Sequence, residues 1–135
     1  VIIDTNVVVS GLITGDEQSP VCRILDGMLE AGFEFLLSPA LLKEYRSVLL
    51  RPKLQALHGL CEEDVDRLLA EIVVNAFWRE PKPGAQAPDP GDDHLWALLN
   101  SLRGAVLVTG DRLLLENPPG FASVLTPRSF ISLLD

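Results

Sequence analysis

The sequence predicts an α/β protein with three layers: a twisted, mostly parallel β-sheet flanked by α-helices. Three observations point there. Short apolar, β-branched runs alternate along the chain with amphipathic segments, and strands separated by helices favour a parallel sheet with crossover helices on its faces. Two Ser-Pro pairs, Ser19-Pro20 and Ser38-Pro39, place a helix cap directly before a proline at the first helical position. Two of the apolar runs, "VIID" and "AVLVTGD", stop on aspartates, Asp4 and Asp111, and in such sheets ligands sit at the carboxyl ends of the strands.

The elements follow in order. Val1 to Asp4 reads as a buried strand, followed by a short apolar segment from Val7 to Ile13. "TGDEQSP" is a loop. The helix launched at Pro20 carries Val21, Ile24, Leu25, Met28 and Leu29 at amphipathic spacing and stops near Gly32. "FEFLL" is the next strand. Pro39 opens a helix whose apolar side is Leu41, Leu42, Tyr45, Val48 and Leu49, and Pro52 ends or kinks it. "CEEDVDRLLAEIVVNAF" reads as a third helix, with Glu62, Glu63 and Asp64 favouring its N-terminal dipole. Residues 81–91, "PKPGAQAPDPG", form an irregular crossing segment. "DDHLWALLNSL" is a helix with Leu95, Leu98, Leu99 and Leu102 on one side, and "AVLVT" is a strand. "GDRLLLENPPG" is a loop with a turn of helix, "ASVLT" a last strand, and Pro127 starts a last helix.

At 135 residues the chain fits one domain spanning 1–135, long enough for a real core. Apolar residues make up 47% of it, which argues against disorder. No apolar run approaches the roughly 18 residues that span a bilayer, and no leader pattern opens the chain, so a cytoplasmic protein without a membrane partner is expected. Cys22 and Cys61 have no CxxC or Cys/His spacing and read as buried, reduced thiols. His58 and His94 read as surface or capping residues rather than zinc ligands. The formal charge is −8, with 19 acidic against 11 basic side chains. That sign excludes a broad basic surface for nucleic acid, but not a small acidic site that meets phosphates through metal ions.

Taken singly, the acids at element boundaries have ordinary uses. Asp92 or Asp93 would cap a helix, Asp111 after Thr-Gly would make a turn, and Glu44 sits on the polar side of a helix. Asp4 is less ordinary, because an apolar strand ends on it. Jointly they mean more. If both aspartate-ended strands share one parallel sheet, Asp4 and Asp111 approach each other, and the "DDHLW" helix start must be near. Clustered carboxylates raise one another's pKa. A hard divalent cation such as magnesium or manganese removes that penalty.

Four stretches, "VIIDTNVVVSGLI", "LSPALLKEYRSVLLRPKL", "DPGDDHLWALL" and "AVLVTGDRLL", resemble the successive motifs of PIN-domain ribonucleases. They are most similar to the toxin components of type II toxin–antitoxin pairs. The resemblance runs from Val1 to about Leu115. It implies a PIN-like fold, an acidic pocket that binds Mg2+ or Mn2+, and endonucleolytic cleavage of RNA. Carried over residue by residue, Asp4 matches the first acid, Glu44 the second and Asp111 the last. The third is Asp92 or Asp93: counting back from "TGD" favours Asp93, while the "DPxDD" pattern favours Asp92. Thr5, Asn6 and Thr109 match the small polar positions beside the acids. Gly91 stands where an acid is common, which leaves Asp89 as a loop residue without an assigned role.

Phosphodiester hydrolysis needs an activated water and relief of charge on the non-bridging oxygens, and metal ions ~3.5–4 Å apart supply both. Asp4, Asp111 and Asp92 or Asp93 would hold metal, Glu44 would bind a second ion or orient the water, and the small polar residues would fix the carboxylates. Arg112, Arg46, Arg51 and Lys53 are the candidate phosphate contacts; Lys43, Arg79 and Lys82 read as plain surface. The family also implies an antitoxin partner. The wide apolar sides of the helices around Cys22–Leu29 and Glu62–Phe77 suggest a homodimer. Two rival readings are a catalytically silent binding module of the same fold and an aspartate-nucleophile phosphatase. The phosphatase would need an acid at position 6, which is Asn, and a lysine late in the chain, where none follows Lys82.

Overall fold

The computed structural model describes residues 1–84 and 86–135. Among them the strands are β1 (Ile2–Ile3), β2 (Leu36–Leu37), β3 (Phe77–Trp78), β4 (Val106–Val108) and β5 (Ser123–Leu125). β1 pairs with β4, β4 with β5, and β2 with β3, all parallel. The Leu36 N–H donates to the Val1 carbonyl at 2.8 Å and stitches the two groups into the order β3-β2-β1-β4-β5. The chain therefore winds outward from β1 to β3 and returns on the other side of β1 as β4 and β5. The reversal falls between β1 and β4, where an open parallel sheet leaves a crevice at its carboxyl edge.

The helices are α1 (Thr5–Ile13), α2 (Pro20–Leu29), α3 (Pro39–Leu49), α4 (Pro52–His58), α5 (Glu62–Asn75), α6 (Asp93–Asn100), α7 (Arg112–Glu116) and α8 (Pro127–Leu134), with a 3-10 turn at Pro90–Asp92. Successive strand residues point to opposite faces, and Ile2 and Ile3 are both fully buried, so both faces of β1 are covered. The core continues through Leu37, Leu41, Tyr45, Leu49, Ile72, Leu95 and Leu107. The α/β class and parallel sheet expected from the sequence are present. Ser19 and Ser38 cap α2 and α3 through Cys22 N–H and Leu41 N–H. No helix of the described residues is long and apolar enough to cross a membrane.

Several elements differ from expectation. The Val7–Ile13 segment is part of a full helix, α1, that starts one residue after Asp4. Its run of valines has strand propensity, but Val7 and Val8 are buried against neighbouring helices, and packing overrides propensity. Gly11 permits the close approach: a Cβ there would lie 2.6 Å from the Val21 carbonyl oxygen of α2. The third predicted helix stops at Asn75, not Phe77. The Asn75 amide donates to the Met28 and Leu29 carbonyls, 3.0 Å each, and the chain leaves as strand β3. Pro52 ends α3 and opens α4. His58 does cap: its Nε2 donates to the Leu49 carbonyl while Nδ1 accepts from Leu60 N–H. Both cysteines are free thiols, but they are not buried; Cys22 is half-buried and Cys61 exposed at the start of α5.

Candidate metal centre

Asp4 leaves β1 and caps α1, and the residue is 5% exposed. Oδ1 accepts from Thr5 N–H at 2.8 Å; Oδ2 accepts from the Thr109 hydroxyl at 2.7 Å and the Asn6 amide at 3.2 Å. Thr109 closes β4 and is fully buried. Its one proton goes to Asp4, and its oxygen accepts from Asn6 Nδ2 at 3.2 Å and Asp111 N–H at 3.0 Å. Asn6 Oδ1 accepts from Gly110 N–H at 3.0 Å. The adjacent ends of β1 and β4 are thus tied by side chains whose donors are all used, while Asp4 Oδ1 keeps a lone pair for a further partner. Burial pushes the Asp4 carboxyl above its ordinary range; the bonds from Thr109 and Thr5 oppose that, and Glu44 and Asp111 add to it.

Glu44 approaches from α3. One oxygen accepts a short bond from the Thr5 hydroxyl and the other lies 3.5 Å from His94 Nε2 on α6. His94 lowers the Glu44 pKa most; burial opposes it, and Thr5 and the more distant charge of Arg51 also lower it. His94 Nδ1 is buried without a hydrogen-bond partner. Beside Glu44, fully buried Tyr45 donates its hydroxyl to the Ile3 carbonyl, fixing α3 against β1. Burial, then the charges of Asp4 and Glu44, keeps that phenol protonated. Sequence reasoning missed both His94 and Tyr45. The signals available were weak: one stands next to the Asp92-Asp93 pair, the other next to Glu44.

The structure separates Asp92 from Asp93. Asp92 ends the 3-10 turn with its carboxylate free of capping bonds. Burial, followed by the charges of Asp4, Asp89, Glu44 and Asp111, pushes it up to about 6. Asp93 turns the other way, its Oδ1 accepting from Ala87 N–H at 2.8 Å. Asp89 also has a local task, accepting from Gly91 N–H at 2.9 Å. Asp111 caps α7 through Leu113 N–H at 2.9 Å, the turn-forming use expected of it, while contributing charge to both Asp4 and Asp92.

The candidate cations are dispersed. Arg46 is engaged by Asp66 at 2.8 Å and Glu62 at 2.6 Å, which holds its guanidinium between α3 and α5. Arg51 lies at the exit of α3, within electrostatic reach of Glu44. Lys53 is exposed on α4. Arg112 begins α7 with a side chain 90% exposed and only a loose 3.9 Å approach to Glu116.

Burial first, and neighbouring acids after it, raise the Asp4 and Asp92 carboxyls, and grouped oxygen donors of this kind suit a hard divalent cation. Among the described residues no three His, Cys, Asp or Glu side chains are gathered closely enough to encircle an ion. Magnesium needs no such cage, since it keeps several waters and takes one or two carboxylates. A comparison with curated proteins finds no match. A family model described as PIN domain matches residues 1–113, reaching from β1 into α7 and spanning Asp4, Glu44, Asp92, Asp93 and Asp111. PIN domains are generally nucleases and typically metal-dependent. With most of its length matched, and with the parallel sheet of that fold, this chain belongs to the PIN-domain family.

Proposed function

We propose that the protein is a Mg2+- or Mn2+-dependent endoribonuclease, working as one domain over residues 1–135. The observation that supports it most is the shared electrostatic environment of Asp4, Glu44, Asp92 and Asp111, four acids from distant parts of the chain. Asp4, Asp92 and Asp111 would hold the cation. When bound, it activates a water and neutralises charge on the phosphate's non-bridging oxygens. Thr109, Asn6 and Thr5 keep the Asp4 and Glu44 carboxylates in fixed rotamers. Glu44, held between Thr5 and His94, is placed to orient water or take a second ion. Asp93, tied to the crossing segment, is the weaker of the two candidates for the third acid. Arg112 and Arg51 are the phosphate contacts the geometry favours, ahead of Lys53 and the engaged Arg46. The test is RNA digestion with magnesium, manganese or chelator. Cleavage that survives chelation, or full metal-dependent activity in Asp4→Asn, refutes the proposal.

We further propose a cytoplasmic toxin role, with part of the surplus negative charge covered by a basic antitoxin, and a homodimer that buries some of the exposed Val74, Phe77, Trp78 and Leu102. A monomer by light scattering at high concentration would remove the dimer. A catalytically silent module is favoured by one observation, the absence of a preassembled ion cage among the described residues; calorimetry showing no manganese binding would support it. The phosphatase reading loses further ground, because the Asn6 amide is committed to Asp4, Thr109 and Gly110.

A further inference from the structure

A cleft of about 550 Å3 opens beside the carboxylates, between the start of α3, the Glu80–Pro81 segment and α6. Its volume is in the range of small-molecule sites. His94 belongs to both places: it lines the cleft, and its Nε2 meets Glu44. A strand held at the carboxylates therefore has this cleft next to it. Pro39, Ala40, Pro81 and Ala97 give it apolar walls. Its charged groups are the carboxylates of Glu80 and Asp93, and neither Lys nor Arg is among the described residues lining it. A phosphate would be repelled there. A flat, uncharged ring carrying N–H donors fits both the walls and the acceptors.

The acceptors are also oriented. The Trp78 indole N–H donates to Glu80 Oε1 at 3.2 Å, and Ala87 N–H donates to Asp93 Oδ1 at 2.8 Å, so each carboxylate is oriented by one bond and keeps a free lone pair on both oxygens for a ligand. Among the nucleobases, guanine alone presents two parallel donors on one edge, N1–H and N2–H, that match a carboxylate bidentately; adenine and cytosine offer one amino group and uracil one imino proton. The serine at the floor, Ser38, spends its oxygen on Leu41 N–H but retains its own proton for a ring acceptor or carbonyl.

We propose that this cleft is a nucleobase subsite that prefers guanine and receives a nucleotide flanking the scissile phosphate. The inference rests on the nuclease reading and deepens it by naming how a base would be chosen. Glu80 supplies the discriminating acceptor, the apolar walls supply the contact area, and the shared His94 links the subsite to Glu44.

The test is amide NMR of the whole protein in chelator, titrated separately with GMP, AMP, CMP and UMP. Shifts are expected at Ala40, Glu80, His94 and Ala97, with GMP bound about tenfold more tightly than UMP. Ala97→Phe fills the cleft from α6 and Ala40→Phe fills it from an exposed position at its lip; either is expected to abolish the shifts, so a folding defect in the first leaves the second. Glu80→Gln is expected to erase the preference for GMP. Shifts that persist in both filled variants overturn the proposal, as does the absence of cleft shifts with every nucleotide. Shifts with indole and none with nucleotides overturn it in favour of a protein side chain. Because the titration uses no metal and no cleavage, the two readings fail separately. RNA cleavage without nucleotide binding in the cleft ends this inference alone; nucleotide binding without cleavage ends the nuclease reading and the flanking role that rests on it, and leaves a guanine-binding cleft.

Discussion

Asp4 and Asp111 hold matching posts on neighbouring parallel strands. Each follows its strand and accepts a backbone N–H from the helix that comes next, yet their surroundings differ sharply. Asp4 is 5% exposed and receives Thr5 N–H, the Thr109 hydroxyl and the Asn6 amide. Asp111 is half-buried, and its side chain accepts from Leu113 N–H alone. The difference arises in the residues that follow. Buried Thr5 and the more exposed Asn6 both bond back to the site, whereas Arg112 extends into solvent. One wall of the centre is therefore preorganised by a closed hydrogen-bond lattice. The other, Asp111 with Asp92, is held more loosely and lacks its counter-charge.

That contrast can be broken most severely at Asp4. Asp4→Asn should lower kcat for RNA by roughly 10^3-fold, since it removes the charge that both neighbours feel. Asp111→Asn keeps the helix cap and should lose less, about 10^2-fold; equal losses in parallel digestions would erase the distinction. Thr109→Val tests the lattice itself. It leaves Asn6, Asp4 and Asp111 N–H short of a buried partner, so thermal or urea unfolding should show about 1–3 kcal/mol of lost stability. Activity should fall about 10–100-fold.

The looser wall should be visible in pH. Asp92 titrates at about 6 in the folded protein against an ordinary value of 3.8. Between those values the folded state binds more protons than the unfolded chain, so stability without metal is lost as pH rises through about 4 to about 6 and is flat above. Asp4, also raised, acts in the same direction. Manganese should abolish the slope. Asp92→Asn should reduce it and stabilise the metal-free protein at pH 7, by on the order of 1 kcal/mol once solvent screening of the half-exposed carboxylate is discounted. Glu44, whose pKa is lowered, works the other way only up to its ordinary 4.5, so a Tm that rises from pH 5 to pH 7 without metal would contradict this. The smallest effect belongs to Arg112→Ala: KM should rise a few-fold, and the slope of log affinity against log salt should fall by about one, with Tm unchanged.

Much of the architecture was legible because local chemistry is unambiguous at certain positions. Ser19-Pro20 and Ser38-Pro39 can hardly be anything but helix starts, and both are. The run from Val7 to Val9 was not legible as helix, since β-branched propensity conflicts with the burial that decides it. Phe77 looked like the end of α5 because an apolar residue continues a helical pattern as readily as it starts an edge strand. The choice between Asp92 and Asp93 was a matter of one residue's rotation about a helix start, which a period of 3.6 does not resolve at an element's first turn.

The sequence by itself determined which side chains are available: aspartates closing two apolar strands, a glutamate on a capped helix, an acidic pair before another helix, and too few cations for a broad polyanion surface. Pairing β1 with β4 across the switch point was a tertiary decision. So was the packing of α3, which against α6 brought Glu44 to His94 and against α5 drew Arg46 to Asp66 and Glu62. Hydrogen bonds and Coulomb forces act over a few ångströms, and only the folded chain places residues a hundred positions apart within that range.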